Sequence, residues 1–215
     1  MKIQYLVITL IALSTQLSAQ LQIGVKGSYG IGTTGSSTQE FVSLNPATIA
    51  QIAYTSTESR KGLGLSLYAD NDKLFLMTDG LFTQTERSFE LLSLNASRTP
   101  LDPALIYESS VATMRLAVTA GVKLGNWRLG AGPEFSFLLD STQDLTELSQ
   151  ISYAPSKLSG GFSFLLGYTL WDHVHIDLRH SYQFQDVMNG FRFDGVPTEM
   201  GTNPKTLELS LGLYF

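Results

Sequence analysis

The chain has 215 residues, a net charge of −5 and 15% charged residues, whereas an average soluble domain has about 25%. It contains no cysteine, which excludes disulfides and the acceptor thiol of a lipoprotein. The mild negative charge gives no support for nucleic-acid binding, and no stretch after residue 19 approaches the ~18 uncharged apolar residues that a membrane helix needs.

Residues 1–19 have the order of a secretory signal peptide. A lysine precedes a mostly apolar run over 5–13, and small Ser18 and Ala19 close the segment. Cleavage after Ala19 leaves 215 − 19 = 196 residues, 20–215, which we expect to form an outer-membrane β-barrel domain. The alternative is a buried N-terminal helix.

Apolar and polar residues alternate with a period of two from Gln20 onward. Every second residue from Leu207 to Phe215 is apolar, for example, and the residues between them are Glu, Ser, Gly and Tyr. Such alternation places one set of side chains on each face of a strand. The pattern predicts strands at 20–31, 61–69, 74–88, 108–124, 127–140, 157–170, 173–185 and 205–215. We therefore expect an all-β fold, an eight-stranded antiparallel up-and-down transmembrane β-barrel.

Short and long connections alternate between these strands. Residues suited to tight turns lie at 70–73, 125–126 and 171–172. The other connections are long, at 32–60, 89–107, 141–156 and 186–204. This alternation is typical of outer-membrane barrels, which have short periplasmic turns and longer outside loops. An even number of strands then places both termini in the periplasm.

Two segments depart from regular strand chemistry. Residues 32–59 are rich in Ser and Thr, and we expect them to be mobile. Pro133 lies inside the fifth strand, where it removes one ladder hydrogen bond, so we expect a bulge or a kink near it.

The polar face of the strands carries charges and glycines, and we assign it to the lumen. Charges in so narrow an interior need partners of opposite sign. The charged residues assigned inward are Lys26, Asp79, Arg115, Lys123, Arg128, Glu134, Asp177, Arg179 and Glu208. The glycines that make room for them are Gly24, Gly64, Gly121, Gly130, Gly132 and Gly212. This composition predicts a lumen filled by side chains, with a narrow channel as the alternative.

Aromatic residues lie at both ends of the apolar face. Trp127, Trp171 and Phe215 lie beside the short turns, and the outer half of the girdle comprises Tyr29, Phe82, Tyr182 and Phe184. This placement predicts the two aromatic girdles of a membrane barrel. The alternative is a set of core aromatics in a soluble barrel.

The last predicted strand alternates up to residue 215. Its outward residues are Leu209, Leu211, Leu213 and Phe215. The segment looks like the terminal signal by which the barrel assembly machinery recognises its clients. The alternative is an ordinary soluble strand.

Three segments carry short motifs: 78–84 (TDGLFTQ), 129–135 (LGAGPEF) and 177–182 (DLRHSY). They resemble strands of the outer-membrane β-barrel domain family of Bacteroidetes that is often labelled PorT-like, with His180 where tyrosine is usual. The resemblance implies a barrel and a bacterial group. The family is named partly for a role in secretion of surface proteins, which implies, as an alternative function, an accessory barrel of a secretion or gliding-motility complex.

His173, His175 and Asp177 share one strand face, a spacing that is compatible with a metal site. The alternative is a hydrogen-bond network in the lumen, with Asp177 paired to a cation. We favour the network, because no further ligand cluster is evident.

The neighbours His180 and Ser181 suggest a hydrolase, with Asp140 or Asp186 as the carboxylate. Adjacent residues on a strand point to opposite faces, however, and His175 is roughly 20 Å along the strand from Ser181. No nucleophile–base pair is therefore expected. No glycine-rich phosphate loop follows a strand, so nucleotide binding has no support. Taken with the two preceding arguments, we expect no catalytic residues, no metal and no cofactor.

The sequence thus predicts a non-enzymatic outer-membrane barrel that is a scaffold for four surface loops contacting a ligand or partner. The expected partners are outer-membrane lipid, the barrel assembly machinery during insertion, and an envelope or surface partner at the four long loops. The alternatives are the accessory barrel, an outer-membrane hydrolase or acyltransferase, and a narrow channel. No nucleic-acid partner is expected.

Overall fold

A computed structural model describes most of the chain from Gln20 onward. The described residues are 20–33, 38–42, 49–54, 57–93, 105–143, 151–153, 157–184, 191–193, 196–198 and 205–215. The signal peptide expected at 1–19 lies outside them. No helix among the described residues is long and apolar enough to cross a membrane.

The described residues form thirteen strands. In chain order they are β1 (Gln20–Thr33), β2 (Thr38–Val42), β3 (Ile49–Tyr54), β4 (Thr57–Asp70), β5 (Leu74–Ser93), β6 (Leu105–Leu124), β7 (Trp127–Gln143), β8 (Ile151–Tyr153), β9 (Leu158–Leu170), β10 (Val174–Gln183), β11 (Phe191–Phe193), β12 (Val196–Thr198) and β13 (Lys205–Tyr214).

Eight long strands close into one antiparallel barrel. Their order is β1, β4, β5, β6, β7, β9, β10 and β13, and β13 pairs back with β1. Each strand therefore pairs with the barrel strands before and after it in the chain. The closed eight-stranded antiparallel barrel predicted from the alternation is confirmed.

The pairing register fixes the width of the barrel. Starting at Gln20, successive partners around the wall are Asp70, Phe75, Gly121, Gly130, Leu165, Arg179 and Glu208, and the circuit ends at Gly30. One circuit therefore advances by 30 − 20 = 10 residues along β1. Eight strands with this stagger tilt by roughly 40° and enclose an interior that is wide enough for side chains.

The three short connections lie where the sequence predicts them. Asn71 Oδ1 accepts hydrogen bonds from the backbone N–H groups of Lys73 and Leu74, at 2.9 and 2.7 Å, between β4 and β5. Gly125 has a φ of 62° in the turn before β7. Trp171 and Asp172 also adopt positive φ, 49° and 62°, a conformation that tight hairpins require.

The long connections contain more strand than the sequence predicts. β2 pairs with β3, and β3 pairs with β5, so the segment predicted as the loop 32–60 partly extends the barrel wall. β4 also begins at Thr57, inside that segment. The described residues of 32–59 are thus strands, because Thr, Val, Ile and Tyr favour strands even without an apolar–polar alternation. The mobility expected for this segment stays a prediction.

The other long connections are also partly folded. β8, from the predicted loop 141–156, joins β11 and β12, from the predicted loop 186–204, in a separate three-stranded sheet. The predicted loop 89–107 is shortened, because β5 continues to Ser93 and β6 begins at Leu105.

The irregularity at Pro133 is a gap in the β6–β7 ladder, with no inserted residue. The β6–β7 pairs on either side of it, Ala117–Glu134 and Ala120–Ala131, keep one register, so no residue is inserted there. Pro133 still pairs with Phe162 on β9. The register shift occurs instead between Ala112 and Thr113. No bulge therefore lies at Pro133, since a missing N–H interrupts a ladder without adding a residue, and the kink that was the other expectation stays a prediction.

Glycines on the inner face allow aromatic rings to lie directly against the wall. A Cβ added to Gly121 would lie 2.7 Å from Phe75 Cε1, and one added to Gly130 would lie 2.6 Å from Phe75 Cζ. Gly24 and Gly212 meet the ring of Tyr214 in the same way. Interior width is therefore set locally by the absence of side chains.

We expect Gly121→Ala to lower the free energy of unfolding by about 1–3 kcal/mol, since the new methyl group overlaps both the Leu129 carbonyl oxygen on β7 and the Phe75 ring. The control is Gly27→Ala, because an added Cβ there meets nothing within 4 Å. Its effect should stay within about 0.5 kcal/mol. Urea unfolding in detergent micelles, followed by tryptophan fluorescence, measures both. Equal effects of the two substitutions would contradict this packing.

Candidate functional site

The barrel interior holds ten buried charged side chains among the described residues, five of each sign. They are Lys26, Arg60, Arg115, Arg128 and Arg179 with Glu58, Asp79, Glu134, Asp177 and Glu208. We call this set the interior charge cluster. Each strand of the barrel places alternate side chains inward, so residues far apart in the chain meet across the lumen.

Lys26 joins three strands in the middle of the barrel. Its Nζ donates to Asp177 Oδ2 at 2.8 Å and to Asp79 Oδ2 at 3.2 Å. Arg179 also donates to Asp79, and Arg128 Nη2 donates to Asp177 Oδ1 at 2.8 Å. Each carboxylate thus faces two cations, which offsets the cost of removing the charges from water.

Arg115 forms the second group, nearer the long loops. It donates through both terminal nitrogens to Glu208, with Nη1 2.6 Å from Oε2, and Nη1 lies 3.9 Å from Glu134 Oε1. The hydroxyl of Ser181 donates to Glu134 Oε2 at 2.9 Å. This two-pronged arginine–carboxylate geometry is the strongest ion pairing available to side chains.

An aromatic layer fills the interior at the short-turn end. The rings of Tyr68 and Tyr214 flank His175, with centroid distances of 4.7 and 4.1 Å. The guanidinium of Arg128 lies 5.2 Å from the centroid of Tyr68 and 6.0 Å from that of Phe75. Arg128 Nη1 lies 2.6 Å from His175 Nδ1, and since arginine only donates, Nδ1 accepts. The layer is tied to the charge cluster through Arg128.

Eight of the nine charges assigned inward from the sequence belong to the interior charge cluster. Lys123 is the exception: it lies at the short-turn rim, with 23% of its side chain exposed, and pairs with Asp70. Lys123 thus keeps an ionic partner without full burial.

Sequence analysis missed several interior residues. Glu58 and Arg60 were missed because they fall in the predicted loop 32–60. Phe75 was missed because an apolar ring on the inner face contradicts a simple polar-in rule, whereas Tyr68 and Tyr214 fall on the polar face of the alternation but were given no role there. The paired glycines on neighbouring strands were the available signal, since they leave the room that the rings occupy.

The aromatic residues assigned to girdles lie on the outer surface. Trp171 and Phe215 are each 81% exposed at the short-turn end. The ring centroids of Trp127 and Tyr168 are 4.8 Å apart. At the other end, the exposed or half-buried rings are Tyr29, Phe82, Tyr182 and Phe184.

Residue 215 is paired to the first strand. The Phe215 N–H donates to the Ile23 carbonyl at 2.9 Å. The other residues of the expected assembly signal, Leu209, Leu211 and Leu213, are exposed on the outer face. Whether this segment acts as an assembly signal stays a prediction.

The residues considered for chemistry are separated by the fold. His175 and Asp177 are buried in the interior, whereas His173 is exposed at the turn, and no group of three potential metal ligands occurs in the described part of the chain. His180 points outward and Ser181 inward, as expected for strand neighbours. Asp186 lies outside the described residues.

Comparison with known proteins gives structural likeness only. No family model and no curated protein matches the chain. The chain is similar to the outer membrane protein OprG from Pseudomonas aeruginosa, with 12% identity and a TM-score of 0.49, over 92% of this chain and 97% of that one. It is also similar to Neisserial surface protein A, with 10% identity and a TM-score of 0.47, over 92% and 99%.

A third similar structure is the attachment invasion locus protein of Yersinia pestis, Ail, solved with the heparin analogue sucrose octasulfate. Identity is 13% and the TM-score is 0.41, over 91% of this chain and 99% of that one. The PorT-like family suggested by the sequence motifs has no support in these comparisons and stays a prediction.

We expect Asp177→Asn to lower the free energy of unfolding by about 3–5 kcal/mol, because Lys26 and Arg128 would keep buried charges without their shared partner. The matched control is Lys61→Gln, which removes the exposed 3.7 Å pair with Glu86 and should cost less than about 1 kcal/mol. Urea titration in neutral detergent micelles measures both. Similar costs for the two variants would show that the interior pairs are not coupled as described.

Proposed function

We propose that this protein is an integral, non-enzymatic barrel of the bacterial outer membrane that holds ordered β-structure outside the membrane for contact with a ligand or partner. The observation that supports this is the division of the barrel into an apolar outer face and a charged inner face. The export signal at 1–19 and the periplasmic position of both termini belong to the same proposal.

The outer face has the composition and height of a lipid-facing surface. Leucines on neighbouring strands are strongly exposed, among them Leu65 at 61%. Ten residues of a strand tilted by roughly 40° rise about 25 Å, which is the height of the apolar band of membrane barrels. The outward residues from Val174 to Phe184 on and after β10 cover that height. Exposing such an apolar surface to water is unfavourable, whereas lipid tails can cover it.

The inner face supports a barrel that does not conduct. Five buried cations and five buried anions occupy the lumen from its middle toward the long loops, and the rings of Tyr68, Phe75 and Tyr214 occupy its short-turn end. An eight-stranded barrel has little interior space beyond its own side chains. We infer that the lumen is a packed core and not a path for solutes.

The strands beyond the apolar band supply the contact surface. β2 and β3 extend one side of the wall, and β8, β11 and β12 form a second sheet from two different connections. Contacts with a ligand or partner are assigned to these segments, within 32–60, 89–107, 141–156 and 186–204. Loops on a rigid scaffold are where binding functions are usually found.

The accessory barrel of a secretion or gliding-motility complex is the second candidate, and it rests on the PorT-like motifs. The charged residues of those motifs, Asp79, Glu134, Asp177 and Arg179, all belong to the interior charge cluster. The motifs therefore describe how the barrel is filled more than what it contacts. A stable envelope complex recovered from native membranes would favour this candidate over an independent barrel.

We expect Leu65→Lys to lower barrel stability in lipid vesicles by about 2–4 kcal/mol, because Leu65 lies near mid-height of the apolar face. The control is Leu74→Lys, beside a short turn, which should cost at most about 1 kcal/mol. Urea titration after insertion into phosphatidylcholine vesicles measures both. A soluble monomer that tolerates both changes equally would overturn the membrane assignment.

We expect the wild-type protein to show no steady conductance in a planar bilayer. Replacing Phe75 and Tyr214 by alanine should leave the barrel closed, because the ten buried charged side chains still fill the rest of the lumen. Single-channel recording on the two proteins tests this. Large, stable conductance in the wild type would favour the channel alternative.

A further inference from the structure

A histidine interrupts the apolar outer face. His180 is exposed on β10, where its Cα partners are Phe164 on β9 and Leu207 on β13. Its neighbours on the same face of β10 are Leu178 and Tyr182. A polar group surrounded by lipid is costly unless it finds a partner there. The outer surface around His180 therefore contains a feature that lipid tails alone do not explain.

Two lysines and two tyrosines lie next to His180, toward the long-loop end. Tyr182 pairs across to Lys205, and Tyr29 pairs across to Lys61. Their strands are consecutive in the wall, in the order β10, β13, β1 and β4. We call these five outward residues the outer polar sector: Tyr29, Lys61, His180, Tyr182 and Lys205.

Both lysines are available to a ligand from outside. Lys205 is exposed, and the side chain of Lys61 is 62% exposed. Lys61 lies 3.7 Å from Glu86, an exposed pair that contributes little and is easily exchanged for another anion. The sector thus offers amine groups at the upper limit of the apolar face.

The sector has the size of a lipid headgroup region. Lys61 and Lys205 are the partners of Tyr29 and Thr33, four residues apart on β1. A rise of ~3.3 Å per residue and a strand spacing of ~4.8 Å put the two lysine Cα atoms about 16 Å apart. Lysine side chains bend toward each other over several ångströms, so both reach one phosphate-bearing headgroup or two adjacent ones.

Lys205 lies away from the exposed carboxylates at this end of the barrel. Glu108 and Asp140 lie on β6 and β7, across the wall from β13. Glu86 on β5 is the carboxylate that faces Lys61, so an anionic ligand competes with it there. The cations also lie at the height where the apolar face ends, which is where headgroups lie beside a membrane barrel.

We propose that the outer polar sector binds the phosphate of an outer-leaflet lipid. Lys61 and Lys205 donate to the phosphate oxygens, a ring N–H of His180 donates from below, and the rings of Tyr29 and Tyr182 lie at headgroup level. The proposal rests on the membrane assignment made above, but it adds a specific lipid partner on one side of the barrel.

Native mass spectrometry in a neutral detergent tests this directly. Phosphatidic acid is the probe, and diacylglycerol with the same acyl chains is its control, since the two lipids differ only in the phosphate. We expect wild-type protein to retain about tenfold more phosphatidic acid than diacylglycerol. The double variant K61Q/K205Q should lose most of that difference, and H180L should lose part of it. K73Q, in a short turn at the opposite end, should behave as wild type.

Three results would overturn the proposal while leaving the membrane barrel intact: equal retention of the two lipids, unchanged phosphatidic acid binding by K61Q/K205Q, or a matching loss in K73Q. Detection of two protein copies whose association is broken by H180L, with no lipid preference, would identify the sector as a protein interface instead. Circular dichroism of each variant checks that the barrel is formed.

Discussion

The structure depends on a requirement of charge neutrality inside a narrow, closed wall. Five cations and five anions are buried there, and the central ones are shared: Lys26 serves two carboxylates, and each of those carboxylates serves two cations. Removing any member leaves a charge where solvent cannot replace the lost partner. The interior therefore acts as one unit that connects strands on opposite sides of the barrel, much as an apolar core connects the layers of a soluble domain.

Filling is uneven along the barrel axis, and the glycines explain why. Where Gly121 and Gly130 face inward, the Phe75 ring lies against bare backbone, and Tyr214 uses Gly24 and Gly212 in the same way. Gly167 similarly leaves the space in which Arg128 meets Asp177. Large side chains thus fit beside glycines, which have no side chain. Nearer the long loops, the wall is lined by hydroxyl-bearing residues such as Thr83 and Thr113, whose Oγ1 atoms are 2.7 Å apart.

The alternation of residues predicted the barrel, its strand order and most of its interior charges, because inner and outer faces differ sharply within the apolar band. The same reasoning failed where that contrast disappears. At 57–61 the sequence TESRK is polar at every position, so the start of β4 carries no period, and Glu58 and Arg60 were missed. At 74–77 the sequence LFLM is apolar on both faces, which hides the inward Phe75 and Met77. The pairing partners of individual charges depend on the stagger between strands. The alternation within one strand does not determine that stagger, so the partners could not be predicted.

The pairing of β1 with β13 has a consequence for how the molecule forms. Gly24 meets Tyr214 across a sequence separation of 214 − 24 = 190 residues, and the Lys26–Asp177 bond spans the same side of the barrel. An open sheet would present unpaired backbone edges and unmatched charges to hydrocarbon, both of which are strongly disfavoured. Stepwise, strand-by-strand entry into a bilayer is therefore unfavourable for this chain. Closure and insertion should therefore occur together.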